Sequence, residues 1–214
     1  MLLGAFLLGV FAIAGTGLVA LTHEATSDRI ARNEREALLR LLHQLVPPER
    51  HNNDMFRDFT YVTDPDRLGT TQPVPVYRAR RNGEPVAAVL APVAPEGYGG
   101  DIRLLVAINA DGTLAGVRVL SHQETPGLGD KIESERSDWI LQFEGLSLDY
   151  PQRSKWAVKK DGGVFDQFTG ATITPRAVVD SVHNSLIYFE NHRDELFEQD
   201  SEPQADEKEG EEHG

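Results

Sequence analysis

A short run of hydroxyl-bearing residues towards the C-terminus has the composition of a phosphate site. It reads Asp-Gln-Phe-Thr-Gly-Ala-Thr-Ile-Thr-Pro over residues 166–175. Thr174 is a good N-cap and Pro175 is favoured at the first helical position, so Thr172 is expected just outside a helix N-terminus. The unpaired amides and the dipole of a helix N-terminus attract phosphate. A plain capped helix without a ligand explains the same residues.

A second segment combines turn-forming residues with polar side chains. It reads His-Gln-Glu-Thr-Pro-Gly-Leu-Gly over residues 122–129, directly after a predicted strand. Two glycines and a proline give a bent backbone that can approach a planar ligand closely, while His122, Glu124 and Thr125 supply donors and acceptors. An ordinary connection into a helix over residues 130–139 has the same composition.

The composition argues against several other chemistries. The chain has no cysteine, so it cannot form a disulfide, bind an iron–sulfur cluster through thiolates or use a thiol nucleophile. Its seven histidines are scattered without an HxH or HExxH pair, which predicts no metal site. The 34 acidic and 21 basic residues give a net charge of -13, which disfavours nucleic-acid binding. No acid–base or nucleophile cluster is recognisable by spacing, so we predict no catalytic residue.

The elements that would position the two segments begin with an uncharged N-terminal run. Residues 1–21 contain no charged side chain, and at about 1.5 Å per residue they would span about 30 Å, the thickness of a bilayer core. We therefore predict a transmembrane anchor over residues 1–22. A cleaved signal peptide, cut after the Ala-Ile-Ala sequence at 12–14, is the alternative. The arginines that follow the run, taken alone, favour a cytoplasmic body.

A helix and a set of hairpins follow the anchor. Over residues 23–50, apolar residues recur at helical spacing until two prolines end the pattern, which predicts an amphipathic helix. Alternating apolar residues then predict paired strands, separated by Asn-Gly, Asp-Gly and Asp-Gly-Gly turns. The predicted pairs are residues 74–80 with 85–93, 102–108 with 114–120, and 156–159 with 164–166. A last helix is predicted to begin at Pro175 and to end near His192.

These elements describe an α+β fold, an antiparallel β-hairpin sheet with flanking helices, preceded by one N-terminal transmembrane helix. The ligand-binding domain is predicted over residues 51–192. Beyond it, residues 194–214 contain ten acidic residues against one lysine. A run of like charge with few apolar residues cannot bury enough surface to fold, so we predict that residues 193–214 form a disordered acidic tail.

The two motifs together resemble those of a flavoprotein family. The Thr-Gly-Ala-Thr sequence at 169–172, with Asp166 before it and Thr174 after it, is similar to the motif at which a flavin transferase attaches FMN to threonine. The segment at 122–129 resembles the other signature of the same FMN-binding domain. Their order behind one membrane span resembles the G subunits of Rnf (Rsx) ion-translocating electron transport complexes. The C subunits of sodium-pumping NADH:quinone reductases are the nearest relatives and the alternative assignment.

The resemblance implies a covalently bound FMN. Thr172 would carry the flavin through a phosphoester, which replaces a hydroxyl with a charged, tethered cofactor. Residues implied in recognition by the flavin transferase are Asp166, Thr169, Gly170 and Ala171. Residues implied in cofactor binding beside Thr172 are Thr169, Gly170, Ala171, Thr174, His122, Glu124, Thr125 and Leu128, of which His122, Glu124, Thr125 and Leu128 would line the flavin ring or its ribityl chain.

The same resemblance implies a role in electron transfer without a stand-alone catalytic activity. The flavin would relay electrons between other subunits of a membrane complex that couples electron transfer to ion translocation. The implied partners are those subunits, the flavin transferase during maturation and membrane lipid. The domain would lie on the periplasmic side of the bacterial inner membrane, which overrides the hint from the arginines after the anchor.

Two functions of other classes are compatible with the residues alone. One is a membrane-anchored binding or scaffold domain without a cofactor, in which residues 169–174 only cap a helix. The other is a self-contained flavin enzyme with a small-molecule substrate, which would need an acid–base or nucleophile cluster assembled in space.

Overall fold

The computed structural model describes residues 2–198; Met1 and the acidic residues 199–214, which we predict to be disordered, lie outside the described residues. The chain divides into two compact units, Met1–Arg40 and Leu41–Gly214. A single helix, α1 (Leu2–Leu45), makes up the described part of the first unit and continues into the second. It covers the predicted anchor together with most of the predicted amphipathic helix. Among the helices of residues 2–198, none combines the length and the apolar character needed to cross a membrane.

The second unit is built on one antiparallel sheet, which confirms the predicted α+β class. Its six strands are β1 (Phe59–Val62), β2 (Val74–Arg81), β3 (Glu84–Leu90), β4 (Val93–Gly97), β5 (Gly100–Asn109) and β6 (Leu114–Ser121). The strand order is β1-β2-β3-β5-β4, and β6 also pairs with β5. The predicted Asn-Gly hairpin is confirmed: Asn82 and Gly83 both have positive φ, 54° and 88°, as a two-residue hairpin turn requires.

The long strand β5 determines which loops meet. Val106 lies opposite Leu90 of β3 on one side and Val117 of β6 on the other. Further along β5, Arg103 lies opposite Val93 of β4 and Ser121 of β6. Strands β3 and β4 therefore share one edge of β5, and β6 takes the other. The β4–β5 turn and the loop after β6 consequently lie at the same end of the sheet.

Two short elements lie within residues 51–72, a polar stretch whose apolar residues have no regular spacing. Strand β1 pairs with β2, and α2 (Pro65–Leu68) follows it. The Asp64 carboxylate accepts a hydrogen bond from the amide of Arg67 at 3.0 Å, and Gly69 ends the helix with φ of 70°. The Asp-Pro sequence that starts this helix is a local signal, because Asp is a preferred N-cap and Pro a preferred first helical residue.

The predicted third strand pair is wrong. Among the described residues, Val158 and Phe165 form only an isolated bridge, and short 3-10 helices at Arg153–Lys155 and Lys159–Asp161 lie on either side of Val158. The apolar residues of this region are buried by stacking rather than by sheet pairing, since the rings of Phe143 and Phe165 lie 4.9 Å apart. The predicted helix over residues 130–139 is also wrong: two 3-10 helices, Gly129–Ile132 and Asp138–Phe143, take its place.

A long helix, α3 (Ile173–Glu198), packs against α2, β4 and β5. Its buried face includes Val178, Val182, Leu186 and Phe189, as the helical spacing predicts. The helix begins before Pro175 and ends beyond His192, so both predicted ends are wrong, and residues 193–198 are helical instead of disordered.

The C-terminal end of α3 is held by two arginines of β2. Arg78 is fully buried, pairs with Asp58 at 2.7 Å and donates to the carbonyl oxygen of Leu196 at 3.3 Å. Arg80 donates to the carbonyl oxygen of Phe197 at 2.6 Å. Cations at a helix C-terminus satisfy its free carbonyl groups and favour the negative end of its dipole.

Candidate functional site

The Thr-Gly-Ala-Thr motif forms a tight turn. The amide of Ala171 donates to the carbonyl oxygen of Phe168 at 3.1 Å. Gly170, the third residue of this turn, has φ of 82°, a backbone conformation in which a type II turn favours glycine. Thr169 and Gly170 are exposed, and Ala171 and Thr172 are half-buried. The motif therefore presents its backbone and hydroxyl groups at the surface.

Residues before the turn are fixed by Trp139. The indole Nε1 donates to the carbonyl oxygen of Asp166 at 2.8 Å, and the ring meets buried Phe168 edge-on at 5.2 Å. The Asp166 carboxylate is exposed to solvent and forms an ion pair with Lys159 at 2.6 Å. Asp166 thus reaches the surface beside the turn, while the backbone that carries it is held by the core.

Thr172 immediately precedes the first residue of α3. Its carbonyl oxygen accepts a hydrogen bond from the amide of Arg176 at 3.4 Å. Within residues 2–198 its hydroxyl makes no hydrogen bond to another group. The first amides of a helix have no intrahelical acceptor, and Ile173, the first residue of α3, is exposed. Thr172, and not Thr174, therefore occupies the N-cap position.

Thr174 is fully buried in the first turn of α3, so its predicted role as the N-cap is wrong. Its hydroxyl donates a short hydrogen bond to Oε2 of Glu124, a residue of the other motif. The other carboxylate oxygen, Oε1, accepts from the amide of Gly99 at 2.9 Å. The buried Glu124 carboxylate thereby connects the start of α3 with the β4–β5 turn.

Glycines leave the space that Glu124 occupies. A Cβ atom at Gly129 would lie 2.6 Å from Glu124 Oε2, and one at Gly97 would lie 2.8 Å from Oε1. A Cβ at Gly99 would lie 2.0 Å from the carbonyl oxygen of Gln123. The predicted second motif contains Gly129 but neither Gly97 nor Gly99. Their closely spaced run, Gly-Tyr-Gly-Gly at residues 97–100, is the sequence signal that indicates a close backbone approach there.

His122 organises the first turn of the loop after β6. Its Nδ1 accepts from the amide of Glu124 at 2.9 Å, and its Nε2 lies 2.8 Å from Oε1 of Glu133. Because Nδ1 is an acceptor, the proton of the neutral ring is assigned to Nε2, which donates to Glu133. The ring is largely buried, so His122 stabilises the loop that holds Glu124.

Leu128 brings the two motifs together at the surface. The amides of Leu128 and Gly129 both donate to the carbonyl oxygen of Thr125 at 3.1 Å, which closes the loop. A Cβ atom at Gly170 would lie 3.8 Å from Leu128 Cδ2, so the leucine side chain lies beside the turn. Leu128 is 42% exposed and Ile173 45% exposed. Exposed apolar side chains therefore lie beside Gly170 and directly after Thr172 in the chain.

A cation lies in the first turn of α3. The Arg176 guanidinium donates to both carboxylate oxygens of Asp161, at 2.7 and 3.1 Å. These hydrogen bonds hold the pKa of Asp161 below its usual range and raise the pKa of Arg176. The pair fastens the loop before the turn to the helix that follows it.

The predicted site residues thus form a buried group and a group at the surface. Thr174 and Glu124 are buried and bonded to each other, and His122 supports Glu124 from below the surface. Residues that reach the surface are Thr125, Leu128, Asp166, Thr169, Gly170 and, in part, Ala171 and Thr172. The exposed set offers a free hydroxyl, a helix N-terminus and apolar contacts.

Comparison with known proteins gives two family matches. Residues 97–187 match the FMN-binding domain, and residues 1–45 match the RnfG N-terminal region. The first match contains both motifs.

Full-length relatives support the same grouping. The chain is 49% identical to the G subunit of the ion-translocating oxidoreductase complex of Shewanella piezotolerans, over 92% of this chain and 93% of that protein. It is 50% identical to the protein of the same name in Vibrio atlanticus, over 90% and 91% of the two chains. The corresponding protein of Pseudoalteromonas atlantica is 49% identical over 89% of each chain.

Proposed function

The chain belongs to the family of G subunits of ion-translocating oxidoreductase complexes and contains an FMN-binding domain, and from this we propose that it relays electrons within such a complex through an FMN attached to Thr172. The resemblance to the G subunits is confirmed by the relatives, as is FMN as the cofactor by the domain match. The covalent link, the partners and the location in the cell are the proposed parts.

The observation that carries the choice of Thr172 is the different environment of three neighbouring threonines. Thr174 is fully buried and its hydroxyl is bonded to Glu124. Thr169 is exposed on the turn, on the far side of Gly170 from the helix. Thr172 alone of the three is half-buried, has a hydroxyl free of hydrogen bonds among the described residues, and lies at the N-terminus of α3. A phosphate gains most there.

Formation of the link is a phosphoryl transfer. The Thr172 hydroxyl oxygen would form a bond to the flavin-bearing phosphorus of a flavin dinucleotide. The anhydride bond from that phosphorus would break, and the second nucleotide would leave as its monophosphate. The hydroxyl proton would pass to a base of the flavin transferase. The exposed turn and the surface carboxylate of Asp166 are accessible to such an enzyme. The amide of the exposed Ile173, at the start of α3, would then donate to a phosphate oxygen.

The surface around Thr172 suits the rest of the cofactor. The isoalloxazine ring supplies the redox chemistry, and the protein supplies position and electrostatics. Exposed Leu128 and Ile173 offer apolar contact to a planar ring, and the neighbouring glycine backbone permits close approach. Glu124 and His122 are buried beneath this surface, where they hold the loop after β6 against the start of α3.

We further propose that residues 1–22 anchor the chain in the bacterial inner membrane, with the FMN-binding domain on the periplasmic side. The uncharged run at 1–21 and the match of residues 1–45 to the RnfG N-terminal region support this proposal. The proposed partners are other subunits of the complex, the flavin transferase and membrane lipid.

The decisive experiment compares threonine variants of the full chain coexpressed with a flavin transferase. Thr172→Ala is expected to fold and to lose all covalent flavin, seen as absent fluorescence on a denaturing gel and an unmodified intact mass. Thr172→Ser, which keeps a hydroxyl, is expected to retain part of the label. Thr71→Ala, at an exposed threonine outside both motifs, is the matched control and is expected to keep its flavin. Covalent flavin on Thr172→Ala would refute the assignment.

A further inference from the structure

A groove of about 350 Å³ lies between α2, β4 and α3 and is separate from the proposed flavin site. Its walls include the apolar side chains of Pro65, Val93 and Pro95. Its polar lining residues are Asp66, Arg67, Glu96, Asp180, Ser181, His183 and Asn184. All of these residues belong to the second compact unit.

The polar lining carries more negative than positive charge. It holds the three carboxylates of Asp66, Glu96 and Asp180 and the single guanidinium of Arg67, which already donates to Asn184 Oδ1 at 3.0 Å. Partial burial raises the pKa of Asp180; the positive charge of Arg176 opposes this shift, and the negative charges of Glu96 and Asp161 add to it. Carboxylates that repel one another beside a groove are stabilised by an incoming cation.

The floor of the groove has polar atoms without partners. Ser181 is 6% exposed, and its Oγ has no hydrogen-bond partner among the described residues. The same holds for Nε2 of His183, two residues further along α3. Buried polar groups are rarely left unpaired in folded proteins, so a hydroxyl in this state beside a groove points to a donor or acceptor from outside.

The chemistry of the walls selects the ligand. A bare metal ion is disfavoured, because the described residues contain no group of three His, Asp or Glu side chains able to hold one. Apolar walls beside carboxylates match a side chain with a methylene stem and a cationic head, as in lysine and arginine. Asp66 and Glu96 are exposed, so their negative charges also attract a positively charged surface of an approaching protein.

We propose that this groove receives a lysine or arginine side chain from another subunit of the complex. The cationic head lies among Asp66, Glu96 and Asp180, donates to Ser181 Oγ, and the stem lies against Val93 and Pro95. This inference rests on the proposed membership of the chain in a multi-subunit complex. The groove is a docking contact, and no part of the flavin attachment depends on it.

The test measures how firmly the full chain is held in the purified complex. A Glu96→Gln/Asp180→Asn double variant removes two groove carboxylates with little change in shape. Asp194→Asn is the matched control, since Asp194 is an exposed acid on the same helix outside the groove. Each complex is solubilised in detergent and washed at rising salt, and the fraction of the chain retained with the other subunits is determined by quantitative blotting. Covalent flavin and melting temperature are measured on the same samples.

The expected result is release of the double variant at a clearly lower salt concentration than the wild type or Asp194→Asn, with flavin and melting temperature unchanged. Equal retention of all three chains would overturn the proposal, and so would equal weakening by Asp194→Asn, which would indicate only net charge. A third result would also overturn the proposal, because it would show that the groove binds a free small amine instead. In that case butylamine would stabilise the isolated wild-type chain but not the double variant, and the double variant would be retained in the complex like the wild type. If the wild type itself never copurifies with other subunits, the proposed function fails independently of the groove.

Discussion

Thr174 Oγ1 donates a hydrogen bond to Glu124 Oε2, although the two residues are separated by fifty positions in the sequence and belong to different motifs. Both side chains are buried. Through this contact, the loop after β6 determines where α3 begins.

The contact gives a first stability prediction. Thr174→Val keeps the shape of the side chain but leaves the buried Glu124 oxygen without its donor, which should reduce the free energy of unfolding by about 1–3 kcal/mol. Thr174→Ser keeps the hydroxyl and should recover part of the loss. Thermal melting of the full chain in detergent measures both. Thr169→Val, at an exposed position, is the control, and an equal effect of Thr169→Val and Thr174→Val would contradict the prediction.

The C-terminal end of α3 gives a second prediction. A chain ending after Glu198 should melt like the wild type and carry the same flavin, because an acidic tail of this composition buries no core. A chain ending after His192 loses the buried Leu196 and the carbonyl groups that bind Arg78 and Arg80. Loss of the leucine alone should cost about 2 kcal/mol or more. Equal melting temperatures of the two truncated chains would show that residues 193–198 do not stabilise the domain.

A third prediction concerns pH. Burial lowers the pKa of His183 below its usual 6.5, and the nearby charges of Arg153 and Arg67 lower it further. The unfolded chain therefore binds this proton first as the pH falls. Stability from the neutral ring is present above the unfolded pKa and declines as the pH drops from there towards the lower folded pKa.

The matched variant for this prediction is His183→Phe. It keeps a ring to stack on Trp156, whose centroid lies 5.4 Å away, but it cannot titrate. Melting temperatures at about pH 7.5 and about pH 5.5 should differ less in the variant than in the wild type. The same difference in both chains would mean that other groups set the pH dependence.

The proposed anchor gives a fourth prediction. The full chain should stay in the membrane fraction after washes with high salt or carbonate, because burial of apolar surface in lipid is not screened by salt as surface charge is. Fractionation followed by N-terminal sequencing measures this. Release into the soluble fraction with a new N-terminus at Gly15 would instead establish that a signal peptide is cleaved.

The parts of the fold that depend on local chemistry are predictable from the sequence. The Asn82-Gly83 turn forms as expected because these residues accept positive φ, and strict alternation identifies β5 and β6. The apolar spacing of α3 likewise predicts its buried face. In each case the signal lies within one element.

The errors arise where a distant partner decides the outcome. The residues around Thr174 are those of an N-cap, yet its hydroxyl is buried and bonded to Glu124. The helix starts at Ile173, before the predicted position. Phe165 has the alternation of a strand residue, but stacking on Phe143 buries it without a paired strand. The glycine run at residues 97–100 indicates a close backbone approach, but only the structure shows that Glu124 lies against Gly97. The motif around Thr172 indicates the chemistry of that residue, whereas the buried residues that support it come from distant parts of the chain.

Fixation of α3 at both ends has a consequence for the geometry of electron transfer. Glu124 holds its first turn, and Arg78 and Arg80 hold its last. The FMN that we propose at Thr172 would therefore have its point of attachment fixed relative to the sheet. The tunnelling distance from that point to a neighbouring redox centre could then change only if α3 and the sheet moved together as one rigid body.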